Sequence, residues 1–218
     1  MEKRLLILEG PAGSGKSYMV DRLVDLTTGA VGTYSVRSSM FPREPDAEEI
    51  IHQSLLNDTL KIFEAMRSDE PAVVDRLFGQ RVYGRLRGGE PPSFSINWFE
   101  RLLRFVNLVT SEISWRSGVH PGIPVSRRYT LRVLWVMLTP DLMTLTAQRE
   151  KAGREYPWSA TQELKEYVRW SEELSRDAGS ISRCSFHVGT SNNWLTQQQC
   201  VEFLLGSEDD DVCHPPLP

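Results

Sequence analysis

The sequence Gly10-Pro11-Ala12-Gly13-Ser14-Gly15-Lys16-Ser17 decides the fold of this chain. It fits the pattern G-x-x-x-x-G-K-[ST], which joins the end of a β-strand to the start of an α-helix. The flanking residues supply both elements, because the apolar run 4–9 predicts a short strand and the apolar spacing in 18–26 predicts a helix. The stretch therefore predicts a phosphate-binding loop, or P-loop, at a strand-to-helix turn.

The chemistry of this loop suits a nucleoside triphosphate. Its three glycines let the backbone pass close to a phosphate, so that N–H groups and the positive end of the helix dipole point at the anion. We expect Lys16 to reach the β- and γ-phosphates of ATP and the Ser17 hydroxyl to take one position on Mg²⁺. All eight residues of the motif are therefore predicted to bind the nucleotide. The alternative, a glycine-rich turn that holds no nucleotide, is disfavoured because strand, loop and helix stand in the required order.

Length and composition limit what else the chain can be. Its 218 residues, 40% of them hydrophobic, are enough to build the core of one α/β domain. No stretch approaches the roughly 18 to 20 consecutive apolar residues of a membrane span, and the N-terminus enters the first strand without room for a signal peptide. The three cysteines are scattered without metal-ligand spacing, which favours reduced thiols over a disulfide or a zinc site. We expect a soluble, cytoplasmic protein with no membrane partner.

Strands alternate with helices along the rest of the chain. Further strands are predicted at about 31–36, 71–76, 131–138 and 183–188. This alternation predicts an α/β fold with a mostly parallel sheet covered by helices on both faces.

Capping residues predict where the later helices begin. The predicted starts are Thr139 with Pro140 in the first turn, Ser159 with Gln162, and Thr196 with Gln199. We expect one domain over residues 1–206, followed by an acidic, Pro-rich tail, 207–218, that is disordered.

An acid and a cation end the third predicted strand. Because the carboxyl ends of parallel strands meet at one edge, Asp75 and Arg76 should lie beside the P-loop. We expect Asp75 to hold Mg²⁺ through water or to take a proton from an acceptor. Arg81 should add a further cation near the phosphates. The alternative for Asp75 and Arg76 is an exposed ion pair that contributes almost nothing.

Four motifs in this order give the chain a family resemblance. They are Glu9-Gly10 with Gly15-Lys16-Ser17, Phe41-Pro42-Arg43-Glu44-Pro45, Val74-Asp75-Arg76, and Thr139-Pro140-Asp141 followed by an Arg-rich segment. The chain resembles the thymidylate kinase-like branch of the P-loop nucleoside and nucleotide kinases over most of residues 4–205. The resemblance implies a P-loop kinase fold with an Arg-rich lid at about 141–158, here called the lid segment.

The resemblance also implies roles for the basic residues. Lys16 and Ser17 would serve ATP and Mg²⁺, and Arg43 and Arg76 would hold the acceptor. The lid-segment arginines, Arg149 and Arg154, would close over the transferring phosphoryl group. Phosphoryl transfer needs positioning and cations more than covalent chemistry, so these roles agree with the physical interpretation.

The acceptor is the least determined part of this interpretation. Thymidylate kinases usually carry an acid inside the P-loop, and here that place is Ala12. A monophosphate acceptor scarcely needs a base, whereas a hydroxyl does, and Glu44 stands where related nucleoside kinases keep theirs. We predict transfer from ATP to a deoxynucleoside monophosphate. The alternatives are a hydroxyl acceptor, namely a deoxynucleoside or a hydroxymethylated pyrimidine base in viral DNA, and a nucleotide switch or ATPase that is not a kinase.

The charge distribution keeps a nucleic-acid substrate among these alternatives. Eleven arginines and no lysine lie between Arg67 and Arg132. Arginine suits planar, bidentate recognition of phosphate, although a solvated helix face is an equally good interpretation. Assembly into a homodimer is left open at this stage.

Overall fold

The computed structural model describes residues 2–34, 58–62, 64–65, 70–77, 80–88, 130–178 and 184–207. The strands in these ranges are β1 (Glu2–Glu9), β2 (Gly32–Tyr34), β3 (Ala72–Asp75), β4 (Thr130–Leu138) and β5 (Cys184–Gly189). The helices are α1 (Lys16–Leu26), α2 (Gln80–Leu86), α3 (Leu142–Ala152), α4 (Ala160–Ala178) and α5 (Trp194–Leu205). Residues 58–62 and 64–65 are helical as well.

The described strands form one parallel sheet in the order β2-β3-β1-β4-β5. The central strand β1 has Ile7 opposite Val74 on one side and opposite Trp135 on the other. Its apolar run is buried on both faces, as expected for a strand inside a parallel sheet. The predicted α/β fold with a parallel sheet is therefore confirmed.

Two hydrophobic layers cover the sheet. On one face Ile7 belongs to the same core cluster as Tyr167 of α4. On the other face Leu8 clusters with Met19 of α1 and Phe203 of α5. Successive residues of β1 alternate between these layers, so Glu9 at its end lies on the α4 side. The alternation brings a charged residue to the sheet edge where the P-loop begins.

Local capping predictions met with mixed success. Ser159 and Gln162 form the predicted reciprocal cap of α4, with N–H to oxygen distances of 3.1 and 3.2 Å. The predicted start of α3, with Thr139 as its cap, was wrong. The N–H of Thr139 donates to the carbonyl of Gly189 at 2.9 Å and so extends the hydrogen-bond ladder of the sheet. The helix begins later, and Asp141 caps it by accepting from the N–H of Thr144 at 2.8 Å.

The start of α5 also differs from the prediction. Thr196 is only 1% exposed, and its hydroxyl lies 3.3 Å from His187 on β5, so it faces the sheet. Asn193 is the N-cap instead and accepts from the N–H of Leu195 at 2.9 Å.

Several predictions fall outside the described residues. They concern the segment that holds Arg43 and Glu44, and the tail from residue 208. In the part of the chain that the structure describes, every helix is too short or too polar to cross a membrane.

Candidate active site

The P-loop has a backbone that requires glycine. Gly10 and Gly15 have φ angles of 147° and 84°, in the region that side chains disfavour. Space is equally short, because a Cβ on Gly10 would lie 2.4 Å from the carbonyl oxygen of Leu138. A Cβ on Gly15 would lie 2.3 Å from the hydroxyl of Ser191, which follows β5. The loop is thus held between the ends of β4 and β5.

Lys16 lies within this loop. Its ammonium group donates hydrogen bonds to the carbonyls of Gly10 and Pro11, each at 2.7 Å, and its side chain is 8% exposed. Burial and then the positive charge of Arg76 lower the pKa of Lys16 to about 7. A bound phosphate would compete with the two carbonyls for this ammonium group.

The two serines of the motif differ in environment. Ser14 is buried, and its N–H donates to the carbonyl of Pro11 at 3.1 Å, which closes the loop. Ser17 lies exposed in the first turn of α1. Its hydroxyl is the one available to a ligand at the positive end of the helix.

Asp75 is the last residue of β3, and Arg76 begins the turn that follows it, here called the Asp75–Arg76 turn. Among the described residues, Oδ1 of Asp75 has no hydrogen-bond partner although it is buried. Arg76 has a φ of 58°, which is rare for a residue other than glycine. Its guanidinium lies 5.1 Å from the centre of the Tyr83 ring, a cation–π contact. The predicted strand-end acid and cation therefore do lie at the sheet edge.

Arg149 lies against the P-loop. Its Nε donates to the carbonyl of Ala12 at 2.9 Å, and its guanidinium forms an ion pair with Glu163 of α4. Oε1 of Glu163 accepts from the N–H of Ala12 at 2.7 Å. A Cβ on Gly13 would lie 3.0 Å from Cγ of Arg149, so the contact with the loop is close. Both backbone polar groups of Ala12 are therefore bound by this pair.

Trp158, at the end of the lid segment, contacts α2. Trp158 stacks on Tyr83 with ring centres 5.2 Å apart, and its carbonyl accepts from Nη1 of Arg149 at 3.0 Å. Gly153 ends α3 with a φ of 59°. Arg154 follows it and is exposed, without a hydrogen bond or ion pair to any residue that the structure describes. The two predicted lid arginines thus lie in different environments.

A buried acid stands at the entrance to the loop. Glu9 is fully buried, and its Oε1 accepts from the N–H of Leu77. Burial raises the pKa of Glu9 well above its ordinary value, while the charge of Arg76 opposes that rise. Oε2 of Glu9 has no hydrogen-bond partner among the described residues.

Three polar residues of this site were not predicted from the sequence. They are Lys61, Tyr83 and Glu163. Each sits at an ordinary position of a helix, and only the fold brings it to the loop or to the turn after β3. Of the predicted acceptor residues, Arg81 lies in the first turn of α2 but its side chain is outside the described part, as are Arg43 and Glu44.

Known proteins share the fold. No protein-family model and no curated protein matches the chain. The deoxyadenosine kinase of M. mycoides with bound dCTP is similar with a TM-score of 0.50 and 11% identity, over 94% of this chain and 100% of the kinase. A second structure of that enzyme, with dCMP and a flexible dCDP bound, gives 0.50 and 13% over 93% and 98%.

A third structure, polyphosphate kinase 2 from Arthrobacter aurescens, has a TM-score of 0.47 and 18% identity over 95% of this chain and 70% of that chain. Together with the parallel sheet and the P-loop geometry, the first two likenesses establish that this chain has the P-loop kinase fold.

Proposed function

We propose that the protein transfers the γ-phosphoryl group of ATP to a deoxynucleoside monophosphate. The observation that carries this proposal is the meeting of Lys16 with Asp75 and Arg76 at one edge of the sheet. The three groups are close enough for Arg76 to lower and Asp75 to raise the pKa of Lys16. A donor cradle and a strand-end acid and cation are what phosphoryl transfer requires.

The donor site fits ATP with Mg²⁺. The exposed hydroxyl of Ser17 and Oδ1 of Asp75, which has no hydrogen-bond partner among the described residues, are oxygen ligands of the kind that Mg²⁺ takes. Within the described residues, no group of three or more His, Cys, Asp or Glu could hold a metal without other ligands. In this proposal, phosphate oxygens and water supply the other ligands of Mg²⁺. When bound, Mg²⁺ would neutralise charge on the phosphates.

The cations have separate tasks in this proposal. Lys16 neutralises charge that grows on the γ-phosphate. Arg149 supplies a fixed positive charge beside the loop, because it is 7% exposed and bound to Ala12. Arg154, which is exposed on the lid segment, approaches the transferring phosphoryl group when the segment closes.

The acceptor phosphate is assigned to Arg76, with Arg43 as its proposed helper. A guanidinium offers a planar fork of N–H donors that matches a phosphate monoester. The ring of Tyr83 holds one face of Arg76, and Nε of Arg76 is buried without a partner among the described residues. A donor of this kind, fixed and unsatisfied, is suited to an incoming anion.

A hydroxyl acceptor is the second candidate. Asp75 favours it, because a carboxylate whose Oδ1 is buried and has no hydrogen-bond partner in the described part of the chain can also take a proton from a hydroxyl. The likeness to deoxyadenosine kinases supports it too, since a deoxynucleoside offers a hydroxyl in place of a phosphate. Glu44 would then be the proposed base, and a hydroxymethylated pyrimidine in DNA would be a related acceptor.

An acceptor screen tests the proposal. ADP release is measured with ATP, Mg²⁺ and, in turn, thymidine monophosphate, other deoxynucleoside monophosphates, deoxynucleosides, and oligonucleotides with hydroxymethylated pyrimidines. We expect release that depends on a monophosphate and that falls about 10²- to 10³-fold in Lys16→Ala. Lys151→Ala is the matched control, because Lys151 is an exposed lysine of α3. ADP release without any acceptor would instead indicate an ATPase or switch.

A further inference from the structure

The turn at the end of β3 is strained, and its backbone N–H groups are hydrogen-bonded. Arg76 has a left-handed backbone, which is unfavourable for a residue with a side chain and persists only where the surroundings fix the conformation. Its N–H donates to the carbonyl of Leu8 at 2.8 Å, and the next N–H, of Leu77, donates to Glu9. These two bonds account for the N–H groups of the turn.

A lysine binds the carbonyl groups of the same turn. The ammonium group of Lys61 donates to the carbonyl of Asp75 at 3.3 Å and to the carbonyl of Arg76. It also pairs with Asp58, with 3.4 Å between Nζ and Oδ1. Lys61 thereby binds the two consecutive residues that the proposed mechanism uses for Mg²⁺ and for the acceptor.

Burial of the Lys61 charge in this position costs desolvation free energy. It is 4% exposed and Asp58 is 3% exposed, so both charges have lost most of their water. A buried pair of this kind often stabilises a fold less than apolar residues of the same volume would. The pair is therefore better explained by the conformation that it imposes than by stability.

We propose that Lys61 is a positioning residue of the active site. It holds the Asp75–Arg76 turn in the strained conformation that presents the carboxylate of Asp75 and the guanidinium of Arg76 to the P-loop. The proposal rests on the proposed function for its kinetic consequence. Its structural part, the fixing of the turn, can be measured without any activity.

The test compares two lysines that differ in location. Lys61→Met removes the donors to the turn, and Asp58→Asn with Lys61→Met also removes the buried negative charge that pairs with Lys61. Lys3→Met is the control, because Lys3 is 1% exposed and also donates to a backbone carbonyl, that of Glu70, but at the opposite end of β1.

Amide hydrogen exchange gives the first readout. The N–H groups of residues 76 and 77 should exchange at least about tenfold faster in the double variant than in Lys3→Met at matched global stability. Equal exchange in the two proteins would show that Lys61 does not fix the turn. This result is independent of whether the protein is a kinase.

Steady-state kinetics gives the second readout. We expect kcat/KM for the acceptor to fall about 10²-fold in the double variant, as for a misplacement of about 1 Å, while the Kd for ATP changes less than about threefold. Lys3→Met should leave both values near those of the wild type. Faster exchange with unchanged acceptor kinetics would overturn the positioning role, whereas a wild type inactive with every acceptor would overturn the proposed function alone.

Discussion

Glu163 and Arg149 form a buried ion pair that binds both backbone polar groups of Ala12. The carboxylate accepts from the N–H of Ala12 at 2.7 Å, and Nε of the arginine donates to its carbonyl at 2.9 Å. Glu163 is 1% exposed and Arg149 is 7% exposed. Helices α3 and α4 therefore fix Ala12, the second residue after Gly10, from both its N–H and its carbonyl side.

This pair predicts a graded loss of stability. Glu163→Ala leaves Arg149 buried without its partner and should cost about 3 to 5 kcal/mol of the free energy of unfolding. The hydroxyl of Tyr83 also donates to Oε1 of Glu163, at 3.0 Å. Glu163→Gln keeps an oxygen that can accept from this hydroxyl and from the N–H of Ala12, so the loss in the free energy of unfolding should be smaller, about 1 to 3 kcal/mol. Equilibrium unfolding in urea measures both.

The control for this series is Glu150→Gln. Glu150 is an exposed glutamate next to Arg149 on α3, and its replacement should leave the unfolding midpoint unchanged. Equal stability of Glu163→Ala and Glu150→Gln would show that the pair does not hold the loop.

Short-range signals in the sequence predicted most of the fold. The P-loop pattern, the apolar strands and the Ser159–Gln162 cap depend on residues within a few positions of each other, and all three are present. The misplaced start of α3 shows the limit of such signals. Thr139 fits a capping pattern locally, but a ladder bond to Gly189 on β5 keeps it in the sheet.

The site was less predictable because its supports come from distant parts of the chain. Glu163 and Ala12 are separated by 151 positions, and nothing near either residue marks their contact. Nothing in the sequence marks Lys61, because it binds the turn only through contacts with Asp75 and Arg76, which lie 14 and 15 positions further along the chain. Arg149 carried a basic-cluster signal, but that signal could not tell a charge fixed at the loop from one on a moving lid.

Lys16 predicts proton uptake when ATP binds. Burial lowers its pKa to about 7, so at pH 8 most molecules without ligand carry a neutral amine. A triphosphate favours the charged form and raises this pKa, so binding above pH 7 should take up a proton. The ATP affinity should therefore fall as the pH rises from 7 to 9, by at most about tenfold per pH unit.

Calorimetric titration with ATP at pH 8 measures this uptake, in two buffers that differ in ionisation enthalpy. For the wild type, the apparent binding enthalpy should differ between the two buffers. The difference should be at most the difference in their ionisation enthalpies, as for uptake of one proton. Lys16→Met has no ammonium group and should show much less of this difference. Identical wild-type enthalpies in both buffers would contradict the proposed protonation of Lys16.

Arg154 predicts a loss of rate without a loss of stability. Because it is exposed and has no polar partner among the described residues, Arg154→Ala should unfold at the same urea concentration as the wild type. If the lid segment closes over the phosphoryl group, kcat should fall about tenfold or more while the Kd for ATP stays within about threefold. Lys151→Ala, on the same segment, is the control and should keep its rate. If Arg154→Ala lost only affinity for ATP, Arg154 would bind ATP in the ground state and would not act on the transferring phosphoryl group.

Arg76 and Glu44 together distinguish the two acceptor classes. For a monophosphate, Arg76→Ala removes a charged hydrogen bond to the acceptor and should raise the acceptor KM by about 10-fold to 10²-fold, while Glu44→Gln changes kcat little. For a hydroxyl, Glu44→Gln should lower kcat by about 10²- to 10⁴-fold with little change in the KM for ATP.

Arg85→Ala is the control for Arg76, because Arg85 on the neighbouring helix pairs with Glu173 at 2.8 Å and should affect stability more than the acceptor KM. We expect the first pattern. Phosphorylation of oligonucleotides alone, with an affinity that falls steeply as salt is added, would contradict it. In that case the arginines between Arg67 and Arg132 would bind the phosphates of a nucleic-acid backbone.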